Sequence, residues 1–191
     1  SNNFIGEDAG YSTISAYENV FLGYRSGFYN TTGFRNIFIG NESGFYNTTG
    51  TRNTFVGAYC GRANVTGQYN SLLGYYSGYT ATLGNNNVFL GYYSGYNADS
   101  TADCVLIGSR SGYNADKSAN SISVGSYSGY NNNAANNIFL GYYAGYQNNT
   151  SDNTFMGYLS GRYNTTGSLN SFFGYQAGKA NTTGVSNTFI G

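Results

Sequence analysis

The chain has 191 residues, eight basic against eight acidic side chains, 29 glycines, and no His, Pro or Trp. Charge this sparse and balanced argues against a nucleic-acid groove, which needs clustered Lys and Arg, and against a polybasic membrane surface. No apolar run is long enough to span a bilayer, and no signal-peptide pattern is present.

Read in order, the chain keeps returning to one glycine. It stands at Gly6, Gly23, Gly40, Gly57, Gly74, Gly91, Gly108, Gly125, Gly141, Gly157, Gly174 and Gly191, in steps of 17 residues with two steps of 16 between Gly125 and Gly157. A second glycine follows four residues after each anchor, from Gly10 and Gly27 to Gly178. Self-similarity at a fixed period sets the fold before local propensity does, and predicts a single repeat domain over residues 1–191.

With positions counted from the anchor, −2 is Phe in most copies: Phe4, Phe21, Phe38, Phe55, Phe89, Phe139, Phe155, Phe172 and Phe189, with Leu72, Leu106 and Ser123 elsewhere. Position −1 is always apolar, as at Ile39, Leu90, Ile107 and Leu140. A short run rich in Phe and β-branched residues, ended by Gly, reads as a strand. Each repeat then predicts one short strand, a tight turn, a possible second short strand and another turn. A small residue at +3 before the second glycine points to close backbone approach or positive φ.

One such repeat cannot bury a core alone, but stacked repeats can. The expected fold is all-β: a parallel β-solenoid, or β-roll, of eleven coils of about 17 residues, growing by about 4.8 Å per coil into a rod of roughly 50 Å. Phe at −2 forms the core ladder. Asn at −4 (Asn19, Asn36, Asn53, Asn70, Asn87, Asn137, Asn153 and Asn170) shares its parity and is expected inside as a ladder of side chains bonded to side chains. Positions −2 and −1 face opposite ways in a strand. The −1 ladder is therefore expected outside, meeting symmetry-related chains, unless a bulge at the glycine turns both inward.

The Asn-x-Phe-Ile-Gly-x-x-Ser-Gly pattern resembles the head repeats of trimeric autotransporter adhesins and the tandem repeats of tail-fibre-like surface proteins. Segments such as Asn187-Thr188-Phe189-Ile190-Gly191 and Gly174-Tyr175-Gln176-Ala177-Gly178 carry the likeness across the whole chain. The resemblance implies a parallel β-roll, commonly trimeric, on a cell or virion surface or otherwise extracellular. The longer repeat, the tyrosine content and the absence of stalk heptads depart from the adhesin heads.

Chemistry-bearing groups are few. Without His, with Glu7, Asp8, Glu18, Glu42, Asp99, Asp103, Asp116 and Asp152 scattered, no enzyme activity, cofactor or metal site is expected. Cys60 and Cys104 occupy different repeat positions almost three coils apart, too far for a disulfide, and read as substitutions of small buried residues. Asn30, Asn47, Asn64, Asn148, Asn164 and Asn181 each precede Thr by two residues. These sequons predict either glycosylated surface turns or simply Asn-Gly turn chemistry. Tyrosines at +1 and +5 predict stacked rings on a surface or interface, with a sugar-binding strip as the functional alternative. Both ends of the sequence stand in the same phase of the repeat, so a longer array or end-to-end stacking is expected. The sequence thus predicts a self-associating structural fibre with a possible glycan coat. An adhesin or receptor-binding module is the alternative, and an ice-binding solenoid, lacking a regular Thr array, the third reading.

Overall fold

A computed structural model describes all 191 residues. Twelve three-residue strands, β1 (Asn3–Ile5), β2 (Val20–Leu22), β3 (Ile37–Ile39), β4 (Thr54–Val56), β5 (Ser71–Leu73), β6 (Val88–Leu90), β7 (Val105–Ile107), β8 (Ile122–Val124), β9 (Ile138–Leu140), β10 (Thr154–Met156), β11 (Ser171–Phe173) and β12 (Thr188–Ile190), form one parallel sheet in chain order. There is no helix. Each strand pairs in register with the next, Phe21 on Phe38 on Phe55. The chain is a parallel β-solenoid of about eleven turns.

No second strand forms in the coil: the segment after the first turn pairs with its neighbours without becoming a regular strand. Tyr29 N–H donates to Phe45 C=O and Thr31 N–H to Thr48 C=O, 3.0 Å each. Of 124 backbone hydrogen bonds 22 lie wholly within the strands, and bonds such as that from Tyr59 N–H to Asn41 C=O stack the corners as well. The two 16-residue coils lose their residue from the turn ahead of the strand. The register Ile122↔Ile138↔Thr154 passes through unchanged.

Phe at −2 points inward. Phe21, Phe38, Phe55, Phe89, Phe139, Phe155 and Phe172 are fully buried, and Phe38 stacks on Phe21 and Phe55 at 4.9 Å each. Ser123 divides the apolar core into two clusters. Two members of the expected core ladder depart from it. Phe4 is half-buried and Phe189 is 41% exposed, because each end coil has a neighbour on one side only. Leu90 and its equivalents point outward, so the bulge that would have turned both ladders inward is absent.

Two glycines per coil show why the turn is invariant. Gly44 holds φ +60, and a Cβ there would lie 2.5 Å from the Phe38 ring it covers. Gly40 holds φ +131 and lies so close to the carbonyl of Gly57 in the next coil that no Cβ fits. Ser at +3 adds a bond: Ser26 Oγ donates to Phe38 C=O at 2.9 Å and Ser94 Oγ to Leu106 C=O at 2.8 Å, tying one coil to the next. Two other corner positions, +2 and −5, also take left-handed backbone without glycine, as at Tyr76 (φ 56), Tyr93 (φ 56), Arg35 (φ 57) and Arg52 (φ 57). That conformation costs roughly 1 kcal/mol per residue. It is offset by inter-coil bonds such as Tyr93 N–H to Tyr75 C=O, 3.0 Å.

Phe89→Ala should cost about 3–5 kcal/mol in urea unfolding, whereas outward Thr54→Ala should stay within about 0.5 kcal/mol. Equal effects would put the −2 ring outside the core.

Candidate functional site

The interior carries two columns of amides beside the phenylalanines. The first is Asn at −4, buried at Asn19, Asn36, Asn53, Asn70, Asn87, Asn137, Asn153 and Asn170. The expected bond from side chain to side chain occurs at some rungs, as from Asn87 Nδ2 to Asn70 Oδ1 at 3.0 Å, but the recurring bonds are to backbone. Asn53 Oδ1 accepts the backbone N–H of Asn70 in the next coil at 3.0 Å, while Asn53 Nδ2 donates to Gly67 C=O of its own coil at 2.7 Å. One amide thus closes its coil and holds the next. Cys104 and Ser121 take the same place without both functions, and Cys104 N–H still donates to Asn87 Oδ1 at 3.1 Å. Cys60, at a +3 serine position, and Cys104 are free and buried, with thiols pushed up by desolvation.

The second column consists of the sequon asparagines, and here the exposed-turn expectation is overturned. Asn30, Asn47, Asn64, Asn148 and Asn164 are fully buried and Asn181 is half-buried. Asn47 Nδ2 donates to Asn30 Oδ1 at 2.8 Å, Asn64 Nδ2 to Asn47 Oδ1 at 2.7 Å, and Asn181 Nδ2 to Asn164 Oδ1 at 2.8 Å. An acceptor amide inside the coil has no path to a glycan in the folded protein. The Asn-Thr-Thr-Gly turn is a structural ladder.

These asparagines come in blocks. Ala81, Ala98 and Ala115 occupy the same buried position in the middle coils. Asn64 is the last amide before them, and its Oδ1 is a buried acceptor without a partner. Ending the run inside the rod thus leaves a buried acceptor unpaired, which costs free energy. In two of the middle coils a hydroxyl replaces the glycine at +10: Thr101 Oγ1 donates to Ala98 C=O at 3.2 Å and Ser118 Oγ to Ala115 C=O at 3.3 Å.

Three faces remain outside. The sheet face presents both −1 and −3. Ile39, Ile107 and Leu140 are half-buried and Leu90 is 40% exposed, as the outer-ladder reading required. Val20, Ile37, Val88, Val105, Ile122 and Ile138 at −3 line the same face, which the sequence reading missed although strand alternation places −3 with −1. No charged residue interrupts it. Between Thr54, Ser71 and Leu90 the face dips into a hollow of about 220 Å³.

A second face carries the tyrosines. At +5 Tyr79, Tyr96, Tyr113, Tyr130 and Tyr146 stack with centroids 5.0–5.3 Å apart. At +2 Tyr59, Tyr76 and Tyr93 stack at 4.9 and 5.1 Å. Arg62 continues the +5 column, its guanidinium over Phe45 (4.9 Å) and Tyr79 (5.6 Å), while its Nε donates to Glu42 at 2.6 Å. Desolvation, then Tyr113 and Tyr79, push Tyr96 above the usual tyrosine range, and the hydrogen bond with Tyr75 does so first for Tyr76.

The third face holds a groove of about 520 Å³ between Tyr29, Tyr46, Thr31, Thr48 and Val65. Tyr29 and Tyr46 stack at 5.5 Å between the small residues Ser12 and Ala63. No three of the chain's Cys, Asp and Glu side chains gather as a metal-binding group, and no helix is long and apolar enough to cross a membrane. Comparison with family models, curated proteins and solved structures gave no match.

The ladder makes a stability prediction. Asn47→Ala strands a further buried acceptor, Asn30 Oδ1, whereas Asn64→Ala exchanges one stranded acceptor for another. Thermal or urea unfolding should show Asn47→Ala less stable by about 1–3 kcal/mol than Asn64→Ala. Equal losses would mean that the amides do not bond along the axis.

Proposed function

We propose that the chain is a structural element of an extracellular fibre, a rigid rod that associates side by side with further copies through its sheet face. The observation that carries this reading is the uncharged apolar face formed by −1 and −3 along the whole sheet, including Ile37, Ile39, Val88, Leu90, Ile138 and Leu140. Monomers avoid a continuous apolar stripe of this kind.

Other copies of this chain are the occupant that the face fits. Its apolar rows repeat with the coil rise, so a partner must offer a straight apolar stripe of the same axial period to match it throughout. The face measures about 50 Å by 10 Å from strand spacing and rise, about 500 Å² per copy. Two such faces reach the roughly 1,000 Å² at which specific interfaces begin. The resemblance to trimeric adhesin heads favours three rods around one axis.

The tyrosine columns weigh less for a sugar-binding strip. A pyranose stacks on an open ring face, and within the columns each ring face is covered by the next ring, leaving edges and hydroxyls outward. With the sequon asparagines inside, a fibre coat of N-linked glycans at those positions is not part of this reading.

Sedimentation velocity tests it. At micromolar concentration the chain should run as a discrete oligomer, and Leu90→Glu with Ile107→Glu should run as a monomer of unchanged circular dichroism. A wild-type chain that stays monomeric contradicts the proposal.

A further inference from the structure

Inside the coil every aromatic ring of the −2 column is phenylalanine, while the outer columns are mainly tyrosine. The difference is chemical. Phenol yields an electron readily when its proton can leave to water, and benzene does not. From Tyr59 onward the outer rings form one connected network, half-buried through Tyr143 and Tyr146 and exposed at Tyr142, Tyr158 and Tyr175. It runs through Tyr76, Tyr93 and Tyr96 (4.9, 5.1 and 5.0 Å), then Tyr113 and Tyr130 (5.0 Å each). Beyond Tyr130 it passes by Tyr146 and Tyr143 (5.0 and 4.8 Å) to Tyr142, Tyr158 and Tyr175 (4.5, 5.6 and 5.2 Å). The span covers seven coil intervals, about 34 Å at the strand spacing.

Competing sinks for an oxidising equivalent are almost absent. Trp is missing, Met156 is the single methionine, and both cysteines are buried with unreactive thiols.

We propose that this tyrosine face is a radical relay, in which a one-electron oxidant acting on one phenol sends the oxidation along the rod from ring to ring. In the first step a tyrosine gives one electron to the oxidant and its hydroxyl proton to water, leaving a neutral tyrosyl radical. In each transfer the neighbouring phenol supplies one electron and one proton, restoring the first tyrosine and becoming the radical. Two radicals meeting at adjacent rings join through their ortho carbons, and the two ring protons pass by way of water to the two oxygens, re-forming the phenols. The relay needs only one rod and is independent of association between copies.

The network has a bottleneck. In its coil Tyr113 is the only aromatic ring, because Ser109 and Arg110 replace tyrosine at +1 and +2. Tyr113 alone joins Tyr93 and Tyr96 on one side to Tyr130 on the other. Arg110 lies over Tyr127 at 5.4 Å, and its cation disfavours electron loss there, keeping the route on the +5 column.

The test uses the full chain with the exposed Asn41, one coil before Tyr59, changed to Cys and labelled with a ruthenium photo-oxidant. After illumination with a nitroso spin trap, peptide mass spectrometry locates the radicals. Adducts are expected on Tyr142, Tyr158 and Tyr175 as well as near the label. Tyr113→Phe keeps the stack, as Phe28 and Phe45 do at the same repeat position, and should remove most adducts beyond Tyr113. Tyr130→Phe should act alike, and Tyr17→Phe, outside the network, should change nothing. Far adducts equal in wild type and Tyr113→Phe, or none beyond Tyr96 in wild type, would overturn the relay.

Discussion

The fold depends on a buried carboxamide repeated in all but two of its coils, where Cys104 and Ser121 stand instead. A solenoid must solve two problems, closing each turn of chain on itself and fixing it to the next, and the asparagine four residues before the anchor addresses both. Its NH₂ reaches the glycine carbonyl across its own coil, as Asn36 reaches Gly50 at 2.8 Å, and its oxygen takes a backbone N–H from the coil beyond, as Asn36 Oδ1 takes that of Asn53 at 2.9 Å. Buried polar groups are costly unless satisfied, so a coil out of register would leave several orphaned at once. That penalty enforces register.

Everything else in the interior follows the same axial logic. Like lies over like: ring on ring, amide on amide, serine hydroxyl to the carbonyl of the next strand. A column is cheap in its middle and expensive at its ends. Asn64 carries a stranded oxygen where its run stops, and Phe189 is partly open at the last coil. In such an arrangement stability is a sum of nearest-neighbour terms.

Much of this was legible in the residues. The period named the architecture, the parity of −4 and −2 put asparagine and phenylalanine on one face, and alternation favoured an outward −1 column over a bulge turning both inward. The sequons misled because the motif Asn-x-Thr describes an acceptor without describing its exposure. The same Asn-Gly spacing lets an inward amide bond within its turn, and sequence alone could not choose between them. The left-handed corners at Tyr76, Tyr93 and Arg52 left no signal either, since nothing in tyrosine or arginine announces positive φ. They are imposed by stacking. The groove beside Tyr29 and Tyr46 was equally hidden, because it depends on the small neighbours Ser12 and Ala63.

The amides of Asn36, Asn53 and Asn70 test the account without any mutation. Their backbone N–H groups have no backbone acceptor, only the side-chain oxygen of the preceding coil's asparagine. If that column holds the coils together, hydrogen exchange at these three amides should be as slow as at the strand amides of Ile37 and Val88. Exchange as fast as in an exposed turn would mean that the carboxamide column does not hold the fold.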